Sequence, residues 1–317
     1  MPAPRHTSPV PVFSGSIGLN NRITPHRLPY SSETGVCAFE EATNVIIDQT
    51  GEPVTRRGYS LLEAGLFHSM MPVDNYFYVA KDRTADTAIY LANISSNSGQ
   101  INLLGVVSGL TKGLKLSYFR LRNTVYYSNG VQSGRLENSS ALPWPESIFT
   151  HETTADMVPF IQGKHISLFA GRALASKGPR LIYSEYNLLG IYDTVRNIRE
   201  FESDIILICP VQTGVFISTT KAIYFLSGKN PAKWTVDQVT TFPAIEWCKQ
   251  YELVKPGDLK SDSISLAALF GTVKGPALGL ANGTVQTQID ANVKLDLDCH
   301  TPGAIVLHGD TLILQSR

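Results

Sequence analysis

The chain is poor in charge, in cysteine and in catalytic motifs, and each shortage excludes something. Charged residues make up 17% of it and the formal net charge is zero. A dedicated nucleic-acid binder carries a basic stripe, so that class is disfavoured. A balanced charge also leaves little self-repulsion, which suits a subunit that associates. The four cysteines, Cys37, Cys209, Cys248 and Cys299, are widely spaced and form no C-x-x-C pair. That spacing argues against a zinc site or a disulfide scaffold and for reduced, mostly buried thiols. No run of about 18 apolar residues occurs, so no membrane span is expected. The opening MPAPRHTSPVPVFSG has no apolar core of signal-peptide length. The sequons at Asn93, Asn138 and Asn282 are therefore read as chance.

Catalytic signatures are missing too. There is no Walker A loop, G-x-G-x-x-G fingerprint, H-E-x-x-H pair or G-x-S-x-G elbow. The seven histidines, His6, His26, His68, His151, His165, His300 and His308, show no i,i+4 pairing. In DLDCH, Asp296, Asp298 and His300 alternate, and a strand would aim them to one side as a metal site. A solvated strand face is the preferred reading there. Glu200, Glu202 and Asp204 form a second acidic group, and paired carboxylates on a β-fold invite a glycosidase reading. The plainer reading is a polar stretch ahead of the apolar run IILIC. No catalytic, cofactor-binding or metal-binding residue is assigned, and no cofactor or small-molecule substrate is expected.

What the sequence does contain is β pattern. Hydrophobic residues reach 43%, enough for a full core, so wholesale disorder is excluded. Residues 1–60 stand apart as an arm. Pro2, Pro4, Pro9, Pro11, Pro25 and Pro29 crowd its first half, fixing φ and removing donors, so it reads as extended. Residues 36–43 (VCAFEEAT) are expected as a short helix, and NVIID with VTRRGY as a strand pair about a Gly/Pro turn. From Leu61 to Arg317 six hairpins follow: Phe77–Ile94, Leu116–Asn129, Ile166–Glu185, Val215–Gly228, Ala267–Gly283 and Ala304–Gln315. Long amphipathic helices are absent, which excludes α/β folds with helical crossovers. Six hairpins at about 43 residues each match four-stranded propeller blades. The expectation is an all-β propeller of five to seven blades, six favoured, over a β-sandwich. Ring closure calls for an early segment to pair with a late blade, and the pair around Val45 and Val54 is the candidate. The tyrosines ending the hairpins are expected to pack between blades.

A resemblance follows from particular residues. Gly18, Leu19, Asn20 and Asn21, then Glu41, Ala42, Asn44, Val45, Ile47, Asp48, Gly51, Arg57, Gly58 and Tyr59 resemble the N-terminal signature of a family of bacteriophage virion proteins. The later run RLIYSEYNLLGIYD…PVQTGVFISTTKAIYFLSGKNPAKW is similar to the central blades of those proteins. After Pro243, PAIEWCKQYELVKPGDL departs from the pattern by lacking a Gly-rich turn. The resemblance implies a β-propeller structural protein of the tail or head-to-tail neck, akin to tail-nozzle and tail-tubular propeller proteins. It implies a homo-oligomeric ring or sleeve about the axis, partnered by its own copies and other tail or neck proteins. The subunit would be made in the host bacterial cytoplasm and would end in the virion. A neutral lumen would let DNA pass without sticking. Asn20, Asn21, Arg22, Arg27, Arg56 and Arg57 are the candidate subunit-interface residues. The alternative is a carbohydrate-binding or glycan-cleaving propeller used in host-receptor recognition.

Overall fold

A computed structural model describes residues 61–95, 100–144, 156–254, 265–287, 297–308 and 311–316, with Leu28 and four short strands nearer the N-terminus. The chain forms two compact units: residues 1–60 with 288–296, and residues 61–287 with 297–317.

In the first unit, β1 (Gly15–Leu19) pairs in parallel with β2 (Val36–Phe39), and β3 (Val45–Ile47) runs antiparallel to β4 (Pro53–Thr55). The helix expected over 36–43 is corrected at Val36–Phe39, which is a strand. A short apolar run carries no period long enough to separate the two, and pairing with β1 selects the extended form. The strand pair expected around Val45 and Val54 is present. Among the described residues its sheet holds β3 and β4 alone, rather than joining a late blade. Pro2, Pro4, Pro9, Pro11, Pro25 and Pro29 lie outside the described residues, and Pro53 opens β4.

The second unit is a five-bladed β-propeller. Blade 1 is β5 (Leu66–Val73), β6 (Tyr76–Asp82), β7 (Thr87–Ile94) and β8 (Ile101–Leu110). Blade 2 is β9 (Ser117–Leu121), β10 (Thr124–Ser128), β11 (Ser133–Glu137) and β12 (Ser140–Leu142). A ribbon strand β13 (Met157–Pro159) precedes blade 3, which is β14 (Ile166–Phe169), β15 (Arg172–Lys177), β16 (Arg180–Tyr183) and β18 (Ile198–Glu200). The strand skipped over, β17 (Ile191–Asp193), pairs back with β13. Blade 4 is β19 (Ile205–Val211), β20 (Gly214–Thr219), β21 (Ile223–Ser227) and β22 (Thr235–Gln238), with a 3-10 turn at Pro231–Lys233. Blade 5 is β23 (Ala244–Val254), β24 (Ser265–Thr272), β25 (Gly275–Gly279) and β26 (Val285–Thr287). All blades are antiparallel meanders. A last hairpin, β27 (Gly303–His308) with β28 (Thr311–Ser316), stays two-stranded. The favoured count of six thus becomes five, because Ala304–Gln315 adds a hairpin and not a blade.

The core lies between neighbouring blades. Val73, Ile89, Leu116 and Val125 join blades 1 and 2, and Phe119, Tyr126, Ile166 and Ala173 join blades 2 and 3. Leu174, Leu181, Ile208 and Ile217 join blades 3 and 4, and Leu207, Cys209, Phe216 and Phe270 join blades 4 and 5. Ile245, Leu269 and Leu278 of blade 5 meet Ile305 and Leu314 of the last hairpin. This explains the unbroken apolar run in β19. Every residue of IILICPV is buried because neighbouring blades cover both faces of the sheet. Ile208 faces blade 3 while Leu207 and Cys209 face blade 5, as the two-residue strand period requires. The tyrosine expectation holds in part: Tyr126 and Tyr183 are buried in these seams and Tyr224 packs half-buried against one, whereas Tyr90 is half-buried and joins none of these clusters.

Candidate functional site

The first strand of every blade lines one cavity. Residues from β5, β9, β14, β19 and β23, joined by Pro302–Ile305, enclose about 1830 Å³. Two of these strands are irregular. In β5 the register slips between His68 and Met71, and Ser69 takes φ +52°. In β23, Ala244 opposes Thr272 but Lys249 opposes Phe270, so four residues bulge opposite Gly271. Trp247 sits in that bulge at φ +66°. A Cβ at Gly271 would lie 2.5 Å from Cys248 Sγ and 3.0 Å from Leu314 Cδ1, so glycine makes room for the bulge.

The β5 irregularity builds a hydrogen-bonded chain. His68 Nδ1 lies 2.8 Å from Ser69 Oγ and its Nε2 lies 3.4 Å from Asp82 Oδ1. Serine, histidine and aspartate in sequence suggest nucleophilic catalysis. The remaining partners point to another use. Ser69 Oγ accepts the Leu116 amide at 2.9 Å, and Asp82 accepts the Gly113 amide at 3.2 Å and the Thr87 hydroxyl. The network therefore fastens the connection leading to blade 2. Burial pushes the Asp82 carboxyl up, but its donors outweigh burial and hold it below its ordinary value. Burial lowers His68, with Asp82 opposing.

The β23 bulge builds a second cluster. It delivers Glu246 to His165, whose Nε2 lies 3.1 Å from Glu246 Oε1, with the Lys164 ammonium against the same oxygen. The Trp247 ring sits 4.3 Å from the His165 ring. Trp247 from the bulge and Lys249 and Tyr251 beyond it line the cavity, while Cys248 turns into the core with Ile245. Lys249 Nζ donates to the Ile208 carbonyl at 2.7 Å. Among the described residues the lining carries Lys115, Arg120, Lys229 and Lys249 against one carboxylate, Asp82.

The residues singled out in the sequence fall elsewhere. Glu200 ends β18, exposed and 3.5 Å from Arg180 Nε. Glu202 accepts the Tyr224 hydroxyl at 3.1 Å and lies 3.8 Å from Lys221 Nζ. Neither Glu200, Glu202 nor Asp204 lines the cavity. Asp298, Cys299 and His300 offer ligand atoms within 4.8 Å of one another, but on a turn and not a strand: Asp298 Oδ1 accepts the His300 amide at 3.1 Å. The strand reading of DLDCH is corrected there, and Asp296 lies outside the described residues. So do Asn20, Asn21, Arg22, Arg27, Arg56 and Arg57. Cys209, Cys248 and Cys299 are free and buried, as expected of reduced core thiols. Sequence reasoning missed Trp247, Lys249 and Tyr251; the alternation W-x-K-x-Y was their signal.

No protein-family model and no curated protein matches the chain. Solved structures do. It is similar to a protein from Lactobacillus plantarum at 12% identity and TM-score 0.46, covering 78% of this chain and 79% of that one. The AfRom2 CNH domain matches at 11% identity and TM-score 0.34, covering 75% and 69%. A GH43_1 enzyme from Xanthomonas citri matches at 12% identity and TM-score 0.32, covering 71% and 92%. At these levels of identity and superposition none bears on what this chain does.

Proposed function

We propose that the chain is a non-enzymatic structural subunit of a bacteriophage virion. It sits in the tail or the head-to-tail neck, where copies assemble as a ring or sleeve about the axis. The sequence resemblance supplies the setting. The observation that carries the assembly reading is the outer edge of blade 1. Strands β12, β18, β22 and β26, which edge the other blades, are three or four residues long. Strand β8 is ten residues, INLLGVVSGL, without a single charge, and Leu104 is 54% exposed upon it. Proteins that stay apart shorten or charge such edges, because an open ladder pairs with another chain. A long uncharged edge suits a subunit whose neighbours cover it.

The glycan-cleaving alternative has less support. Its carboxylates, Glu200 and Glu202, are engaged by Arg180, Tyr224 and Lys221 away from the cavity. Light scattering on the purified chain, with immunogold imaging of particles, tests the proposal. The expected result is a closed oligomer and labelling on the tail or neck. A strict monomer that never enters particles would overturn it.

A further inference from the structure

We propose that the cavity enclosed by the five first strands binds an acidic sugar, with Lys249 holding the ligand's carboxylate and Trp247 and Tyr251 contacting its ring. The argument begins with charge. Lys249 lies in the cavity wall, and its ammonium donates to a neutral carbonyl, that of Ile208. Among the described residues no ion pair joins it to a carboxylate. An enclosed cation without a counter-ion is costly, and removing such a charge from an otherwise packed site is often stabilising. Burial accordingly lowers the Lys249 pKa.

The rest of the lining does not supply the missing charge. Among the described residues Asp82 is the one carboxylate there, and Thr87, Gly113 and His68 already occupy it. Arg120 brings its own partner, Asp74, at 3.0 and 2.8 Å. The potential in the cavity is therefore positive at Lys249, and the ligand that answers it is an anion.

The surroundings narrow the class. Tyr251 lies two strand positions beyond Lys249, about 7 Å along β23, and Trp247 precedes Lys249 in the bulge, with its ring 4.3 Å from the His165 ring. Both aromatic side chains line the cavity together with Lys249. A convergent charge with aromatic walls is how concave sites fix a small polar ligand. Lys115, Arg120 and Lys229 also line the cavity, so phosphate is the competing anion that a uronate must outbind. No contact between copies is required, so the outcome is independent of the virion reading.

The test is titration calorimetry on the full chain with D-glucuronate and D-galacturonate, against D-glucose and inorganic phosphate. At least one uronate is expected to bind tenfold or more tightly than glucose or phosphate, and Lys249→Met is expected to weaken it at least tenfold. The unliganded Lys249→Met protein is expected to melt at or above the parent temperature, since a charge without a counter-ion is removed. Trp247→Phe provides an independent arm: uronate should quench parent tryptophan fluorescence and leave that of the variant unchanged. Absence of uronate binding at millimolar concentration overturns the proposal. So does phosphate binding as tight as uronate, or a quench that survives Trp247→Phe, and this last arm decides if Lys249→Met fails to fold.

Discussion

His165 concentrates the chemistry of the bulge in one side chain. It is 2% exposed, and burial pulls its pKa down to about 4, with Glu246 opposing. In the unfolded chain the ring titrates near 6.5, so between these values the unfolded state binds a proton that the folded state refuses. Stability therefore rises with pH across this window and falls as the pH drops from 6.5 towards 4, by roughly 3 kcal/mol for the full shift. Glu246 acts in the same direction at lower pH. Burial raises it, but the His165 and Lys164 donors win and hold it below its ordinary value, so its contribution is lost as acid protonates it. Urea midpoints measured from pH 7 to pH 4 should fall, and His165→Gln should flatten the fall above pH 5. An unchanged slope in the variant would count against the assignment. Gly271 offers a second residue-scale prediction. Gly271→Ala drives a methyl to 2.5 Å from Cys248 Sγ, and overpacking of this kind costs about 1–3 kcal/mol. Chemical denaturation should show that loss, and a shift near zero would mean that the bulge gives way. Neither residue was legible in the sequence. A lone histidine has no partner in sequence, and Glu246 reaches it only through a bulge that breaks the strand period.

At the scale of elements, the hairpins were legible because their inner strands alternate or run apolar around Gly-containing turns. Five of the six expected hairpins are present as strand pairs, and Ile166–Glu185 holds three strands, with β15 inserted between the two expected runs. The fourth strands were not legible, since β18, β22 and β26 are three or four mostly polar residues whose extension is imposed by the neighbouring strand. The stretch after Pro243, which lacks a Gly-rich turn, enters β23, where the bulge stands. Strand β8 carries the prediction at this scale. Leu104 is exposed, so Leu104→Lys should leave the unfolding midpoint within about 0.5 kcal/mol of the parent. The same change places a charge on an uncharged edge and should lower oligomer mass in light scattering. An oligomer of unaltered mass and salt dependence would place the contact elsewhere.

For the propeller unit, stability is carried by seams and not by blades. Each blade is a single sheet with two apolar faces, and the seam clusters cover those faces in turn. Propeller architecture was legible because it follows from this repetition. Blade number was not, because a hairpin in sequence looks alike whether or not two further strands complete it. The last hairpin shows the consequence. With two strands it still does the work of a neighbour, covering Ile245, Cys248, Leu269 and Leu278 on the face of blade 5 that blade 4 leaves open. Ile305, 4% exposed, is its contact into that seam. If the hairpin seals the unit, Ile305→Ala removes a core side chain and should cost about 2–5 kcal/mol. The loss should also be global, with blade-core amides exchanging hydrogen faster in step, since opening one seam uncovers the face on which the next depends. Hydrogen exchange followed by mass spectrometry distinguishes the cases. Faster exchange confined to residues 303–316 would mean that the hairpin is an appendage, and the five blades hold without it.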